Sequence, residues 1–98
     1  MKKFVYLIKS DNGEYKIGVS KNPNKRLKQL NCGNPFNSEI IHQFETEIPH
    51  KVETALHNFY SMNKINREWY DLPIEVHFDF LEICAKIEKN LKIVAENS

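Results

Sequence analysis

The stretch Phe4–Arg26 reads FVYLIKSDNGEYKIGVSKNPNKR. Phe4 to Lys9 is a β-rich run, Asp11-Asn12-Gly13 a strong turn signal, and Glu14 to Ser20 a second β-rich run. Asn22 and Pro23 then have the chemistry of a helix cap and a first helical position. Two registers are open to the hairpin. A two-residue Asn12-Gly13 turn sets Lys9 opposite Lys16 and makes Tyr15 the companion of Tyr6. A three-residue loop with Gly13 left-handed instead pairs Tyr6 with Gly18 and Ile8 with Lys16. The second register is favoured because it avoids two lysines face to face. It places Tyr6 and Lys16 on one face and Val5, Leu7, Ile17 and Val19 on the other. Gly18 beside Tyr6 then leaves room for a substrate backbone. Tyr6, Lys16 and Arg26 are residue types that can handle a phosphodiester.

Working outward, the first helix is expected from Asn22 to about Asn31, stopped by Gly33 and Pro35, with Leu27 and Leu30 toward the core. Arg26 lies in its first turns, where the positive helix end favours phosphate and a planar guanidinium can grip two oxygens. On the residues alone, an arginine lying over apolar neighbours is the stronger reading. Ser38 to Glu47 reads as a third strand, with His42 half-buried in it. Pro49 opens a helix to about Met62, with Val52, Leu56 and Phe59 as its apolar stripe and Glu53, His57 and Tyr60 beside it at i, i+4 and i+7. Residues 63–67 read as a polar loop, and Trp69 as a core anchor rather than a platform for a base. The last helix, about 74–95, carries Phe80, Ile83, Cys84, Ile87, Leu91 and Val94 in a sustained stripe. Its outer part leaves room for self-association. The expected fold is thus α/β (α+β): one domain over 1–98, with a three-stranded antiparallel sheet, flanking helices and a long C-terminal helix.

Hydrophobic residues at 41% and charged residues at 28% are ordinary for a soluble globular protein. No apolar run approaches the roughly 20 residues of a membrane span, and Phe4–Ile8 is too short for a signal-peptide core. A cytoplasmic, reducing location is the expectation. Cys32 and Cys84, without CxxC spacing, read as two buried thiols. The net charge of +1 conceals an asymmetry: residues 1–30 hold eight basic and two acidic side chains, whereas 31–98 hold six basic and eleven acidic. A basic N-terminal third suits a polyanion. Lysines that solvate an edge strand and a helix face explain the same charges equally well.

Taken in order, these elements resemble the GIY-YIG nuclease family. VYLI at 5–8 is similar to the first half-motif and KIG at 16–18 to the second. The resemblance is to the branch known as T5orf172 or meiotically up-regulated gene 113 domains, where KIG stands in place of YIG. Arg26, Glu53 with Leu56-His57, and Glu68-Trp69-Tyr70 follow in that branch's order, and the resemblance covers roughly residues 4–72. It implies a nuclease domain that cleaves or nicks DNA with one Mg²⁺ or Mn²⁺. Glu53 would bind the metal, which as an isolated residue it would do less often than lie on the surface. Arg26 would clamp a phosphate oxygen, and Tyr6 would orient or deprotonate water, helped by the charge of Lys16. His57 would contact phosphate or orient Glu53, or else be a satisfied boundary histidine.

The chain departs from the family pattern at several points. Phe4 and Val5 replace the glycine and isoleucine of GIY, and Lys16 replaces the second tyrosine. Leu30 stands where many relatives carry a histidine or tyrosine, and Asn66 is no secure match for a late asparagine. The domain type suits a phage or mobile element, or a nucleoid setting in defence or repair. A homodimer or a recruiting partner protein would supply the specificity that no helix-turn-helix or zinc finger provides. Two other readings stand beside the nuclease: an inactive nucleic-acid-binding module of the same fold, and an interaction domain that dimerises through the last helix.

Overall fold

Ser10 and Glu14 flank a three-residue loop in which the Gly13 amide donates to the Ser10 carbonyl at 2.9 Å and Gly13 adopts φ +90°. This is the three-residue register of the hairpin. In the computed structural model, which describes residues 3–97, β1 (Lys3–Ser10) pairs with β2 (Tyr15–Ser20) so that Tyr6 faces Gly18 and Ile8 faces Lys16. Lys2, one of the basic N-terminal residues, lies outside the described residues. The Asn22 side chain accepts from the Lys25 amide at 3.2 Å and caps α1 (Pro23–Asn31), with Pro23 at its start. β3 (Ser38–Thr46) joins the free edge of β1. The long connection between them is tied down by Asn31, whose side-chain amide exchanges two hydrogen bonds with the backbone of Ser38.

The sheet has five strands rather than three, in the order β3-β1-β2-β5-β4. β4 (Lys64–Asn66) and β5 (Trp69–Tyr70) extend it beyond β2. Residues 63–67 therefore include strand where a polar loop was expected. All three β4 side chains are exposed, and three residues (Lys64, Ile65, Asn66) are too few to mark a strand by their period. Its turn uses Arg67 at φ 42° rather than a glycine or asparagine.

The two faces of the sheet are covered differently. Val5, Leu7, Tyr15 and Ile17 pack against Val52 and Leu56 of α2 (Pro49–Phe59) and against Val76, Phe80 and Cys84 of α3 (Val76–Glu96). Complete burial of such side chains is the main stabilising term, about 1.5–3 kcal/mol for each large aliphatic or aromatic group. On this face the Tyr15 hydroxyl bonds His77 Nε2 at 2.7 Å, and His42 Nε2 donates to the His77 carbonyl at 2.7 Å. α1 lies over β1 and β3 on the opposite face, with Leu27 and Leu30 only half-buried.

Several sequence expectations need correcting. α2 stops at Phe59, not Met62, and a short 3₁₀ turn (Ser61–Asn63) follows. Tyr60, four residues after Leu56, shares the buried side with Val52 and Leu56, and Phe59 is left 63% exposed. α3 detaches from the body toward its end, so that Val94 is 65% exposed. Cys84 is buried, but Cys32 is exposed, because it follows the last turn of α1 on the outer surface.

Candidate functional site

Tyr6 stands at the centre of the face that α1 leaves partly open. Its ring is buried, and a Cβ on Gly18 would overlap its hydroxyl. The cross-strand partner must therefore be glycine for the phenol to lie flat across β2. Arg26, projecting from α1, lies near enough for its guanidinium to act on the phenol. Burial pushes the Tyr6 pKa up, the neighbouring Arg26 guanidinium opposes the rise, and the carboxylates of Glu68 and Glu53 add to it. Tyr6 is thus a phenol that stays protonated well past neutral pH.

Lys16, two residues from Gly18 on the same face, is not a free cation. Its Nζ bonds Glu68 Oε2 at 2.6 Å and lies 5.5 Å from the centre of the Trp69 ring, within cation–π range. The lysine expected to lower the Tyr6 pKa is instead matched by a carboxylate that raises it.

Glu53 stands on α2 beside His57, next to an open sheet edge. β5 pairs with β2 only at Tyr15 and Lys16, leaving the edge beyond Ile17 without a strand. The Ile17 carbonyl there accepts from His57 Nε2 at 3.3 Å. A carbonyl only accepts, so this nitrogen carries a proton. His57 thereby continues the ladder where β5 ends and fixes the angle of α2. The same nitrogen lies 3.9 Å from a Glu53 oxygen one turn away. Burial raises the Glu53 pKa, the nearby His57 ring opposes the rise, and Glu68 reinforces it.

Lys16, Arg26, Arg67, Glu68 and Trp69 line a cavity of about 300 Å³ on this face. Three cations and one carboxylate make it a site for an anion. Of the five residues singled out from the sequence, Lys16 and Arg26 line this cavity, Tyr6 packs against Gly18, and Glu53 acts on the Tyr6 phenol electrostatically. His57 is held at the β2 edge beside Glu53 and does not line the cavity. Among the described residues, no three His, Cys, Asp or Glu side chains form a preformed metal cage.

The T5orf172 domain family matches residues 3–90. The chain belongs to this family. T5orf172 is a nuclease family related to GIY-YIG, and the match runs from β1 well into α3. No curated protein and no solved structure matches the chain.

The T5orf172 match leaves three contributors to the site that sequence reasoning gave no role there. Glu68 neutralises Lys16, and 52 residues of chain separate the two. Arg67 enters the cavity from a left-handed backbone position that a non-glycine residue rarely occupies, a type of strain concentrated at functional sites. Trp69 lies on the site face and lines the cavity, whereas Tyr70 is the fully buried anchor, 5.5 Å from the His57 ring. Strand alternation explains the exchange: Lys16 faces Trp69 and Tyr15 faces Tyr70. The one signal available in the sequence was the Glu-Trp pair of the family resemblance.

Proposed function

We propose that this T5orf172 domain, of the KIG-bearing branch, is a metal-dependent DNA endonuclease. The observation that carries the reading is the cavity lined by Lys16, Arg26 and Arg67, with the Tyr6 phenol under the influence of both the Arg26 guanidinium and the Glu53 carboxylate. Arg26 clamps a non-bridging oxygen of the scissile phosphate, where its fixed fork stabilises charge that builds in the transition state. Arg67 lines the same cavity and is a second contact for that phosphate. Lys16 exchanges its Glu68 partner for a phosphate oxygen when DNA binds. Tyr6, kept protonated by burial, orients the attacking water by hydrogen bonding, and the water's proton passes to bulk solvent rather than to the phenol.

Glu53 fits a Mg²⁺ or Mn²⁺ ligand, because its carboxylate is partly desolvated and strained by Glu68, and a hard dication would relieve both effects. One carboxylate, with water and substrate oxygens completing the shell, matches the way Mg²⁺ is usually held. When bound, the ion would stabilise charge on the phosphoryl group and the leaving 3′ oxygen. His57 holds Glu53 at its angle through the Ile17 contact.

The ion pair between Lys16 and Glu68 favours one second reading, a DNA-binding module without chemistry. Nicking of supercoiled plasmid and branched DNA with Mg²⁺ or Mn²⁺ separates the two. The nuclease reading expects cleavage that disappears with EDTA and in both Glu53→Ala and Arg26→Ala. Salt-sensitive binding without cleavage would leave the binding module.

A further inference from the structure

A second cavity, of about 250 Å³, lies beside the cationic one and shares Trp69 as a wall. Asn12 and Glu14 come to it from the β1–β2 turn, Asn34 and Phe36 from the α1–β3 connection, and Asn66 from β4. Its chemistry differs from its neighbour's. Among the described residues no lysine or arginine lines it, and the Glu14 carboxylate repels an anion. The lining is mainly polar: amides supply hydrogen bonds, and two aromatic side chains add a smaller apolar part, a combination that suits the polar edge and flat ring of an unpaired base.

The walls are set before any ligand arrives. Asn12 accepts from the Glu14 amide at 3.0 Å and donates to the Glu14 carboxylate at 2.9 Å. Asn34 turns its oxygen to the Phe36 amide at 3.0 Å, which leaves its NH₂ group for a ligand. Phe36 remains 45% exposed, an aromatic side chain that the folded chain does not cover.

We propose that this cavity is a nucleobase subsite. It takes the base next to the phosphate held by Arg26 and Lys16, swung out of its stack, with Phe36 and Trp69 against the ring and the asparagine amides at its edge. A paired base inside a duplex cannot enter, so the subsite directs the domain to DNA that is unpaired beside the bound phosphate. The inference rests on the DNA-processing reading above, but its test does not depend on cleavage.

Trp69 is the sole tryptophan of the chain, so its fluorescence reports this wall directly. Octathymidylate and a fully abasic octamer, which carry the same phosphates, are titrated in EDTA against wild type and Phe36→Ala. Wild type is expected to bind octathymidylate about tenfold or more tightly than the abasic strand, with deeper quenching of Trp69 at saturation by the base-bearing strand. Phe36→Ala is expected to lose most of that preference while holding the abasic strand as wild type does, which also shows that the variant is folded. Equal affinity of wild type for the two strands overturns the subsite. So does a Phe36→Ala variant weakened by the same factor on both. Cleavage with Mn²⁺ is scored separately. Base-dependent binding without cutting keeps the subsite and removes the nuclease, whereas cutting with base-independent binding does the reverse.

Discussion

Replacing Gly18 by alanine probes the contact on which the candidate site is built. The new Cβ would lie 2.5 Å from Tyr6 Cζ, about 1 Å inside the ~3.5 Å at which carbon atoms pack comfortably. The ring is 1% exposed and has nowhere to swing. Overpacking of this kind typically costs ~1–3 kcal/mol. Alanine also stiffens the unfolded chain, which offsets about 0.4–1 kcal/mol. Gly18 has ordinary strand backbone, so its requirement is steric and not conformational. The expected net loss is about 1–2 kcal/mol, and each kcal/mol lowers Tm by about 4–8 °C in a domain of this size. Urea unfolding at pH 7 measures the loss, and a Tyr6→Leu background isolates its cause. Leucine has no Cζ or hydroxyl, so in that background Gly18→Ala is expected to be neutral or mildly stabilising, giving a coupling energy of about 1–3 kcal/mol. An alanine variant as stable as wild type, or one that costs the same in both backgrounds, would refute the steric argument.

Tyr6→Phe keeps the ring and removes the hydroxyl. Cleavage is expected to fall about 10²-fold or more while salt-dependent DNA binding persists, as measured by nicking and anisotropy on the same preparation. Glu68→Gln releases Lys16, so DNA is expected to bind more tightly and the plot of log K against log salt to steepen by about one phosphate contact. The Glu53 carboxyl has a folded pKa raised above its usual 4.5, so the stability it allows is greatest below 4.5 and is lost as pH rises through the folded pKa. Glu53→Gln is accordingly expected to exceed wild type in stability at pH 7, with the gap closing in acid, and to lose metal-dependent cleavage. Denaturant melts across pH 4–8 check the first part and plasmid nicking the second. Burial holds the Cys84 thiol up to about 12 while Cys32 is exposed, so a thiol reagent at pH 8 should label one cysteine in the native protein and two in urea, as read by mass.

Local chemistry in the sequence accounts for much of the fold. A lysine-lysine clash and a left-handed glycine selected the hairpin register, and Asn22-Pro23 marked the start of α1. Tyr6, Arg26 and Glu53 were assigned roles through the family resemblance, since as isolated residues Arg26 and Glu53 read more readily as surface groups. β4 and β5 were hidden because strands of three and two residues have too few side chains to show a period. Trp69 and Tyr70 exchanged roles for a related reason: a one-residue offset reverses the face of every side chain, and only the pairing with β2 sets that offset.

By itself, then, the sequence determined the hairpin, the helix starts and the residue types that could meet a phosphate, since each depends on neighbours a few positions apart. Only the tertiary structure decided that Glu68 would neutralise Lys16, that His57 would close the β2 edge and that Arg67 and Trp69 would wall the cavity. Those outcomes depend on segments up to 52 residues apart meeting across one sheet, and short-range patterns carry no record of such meetings.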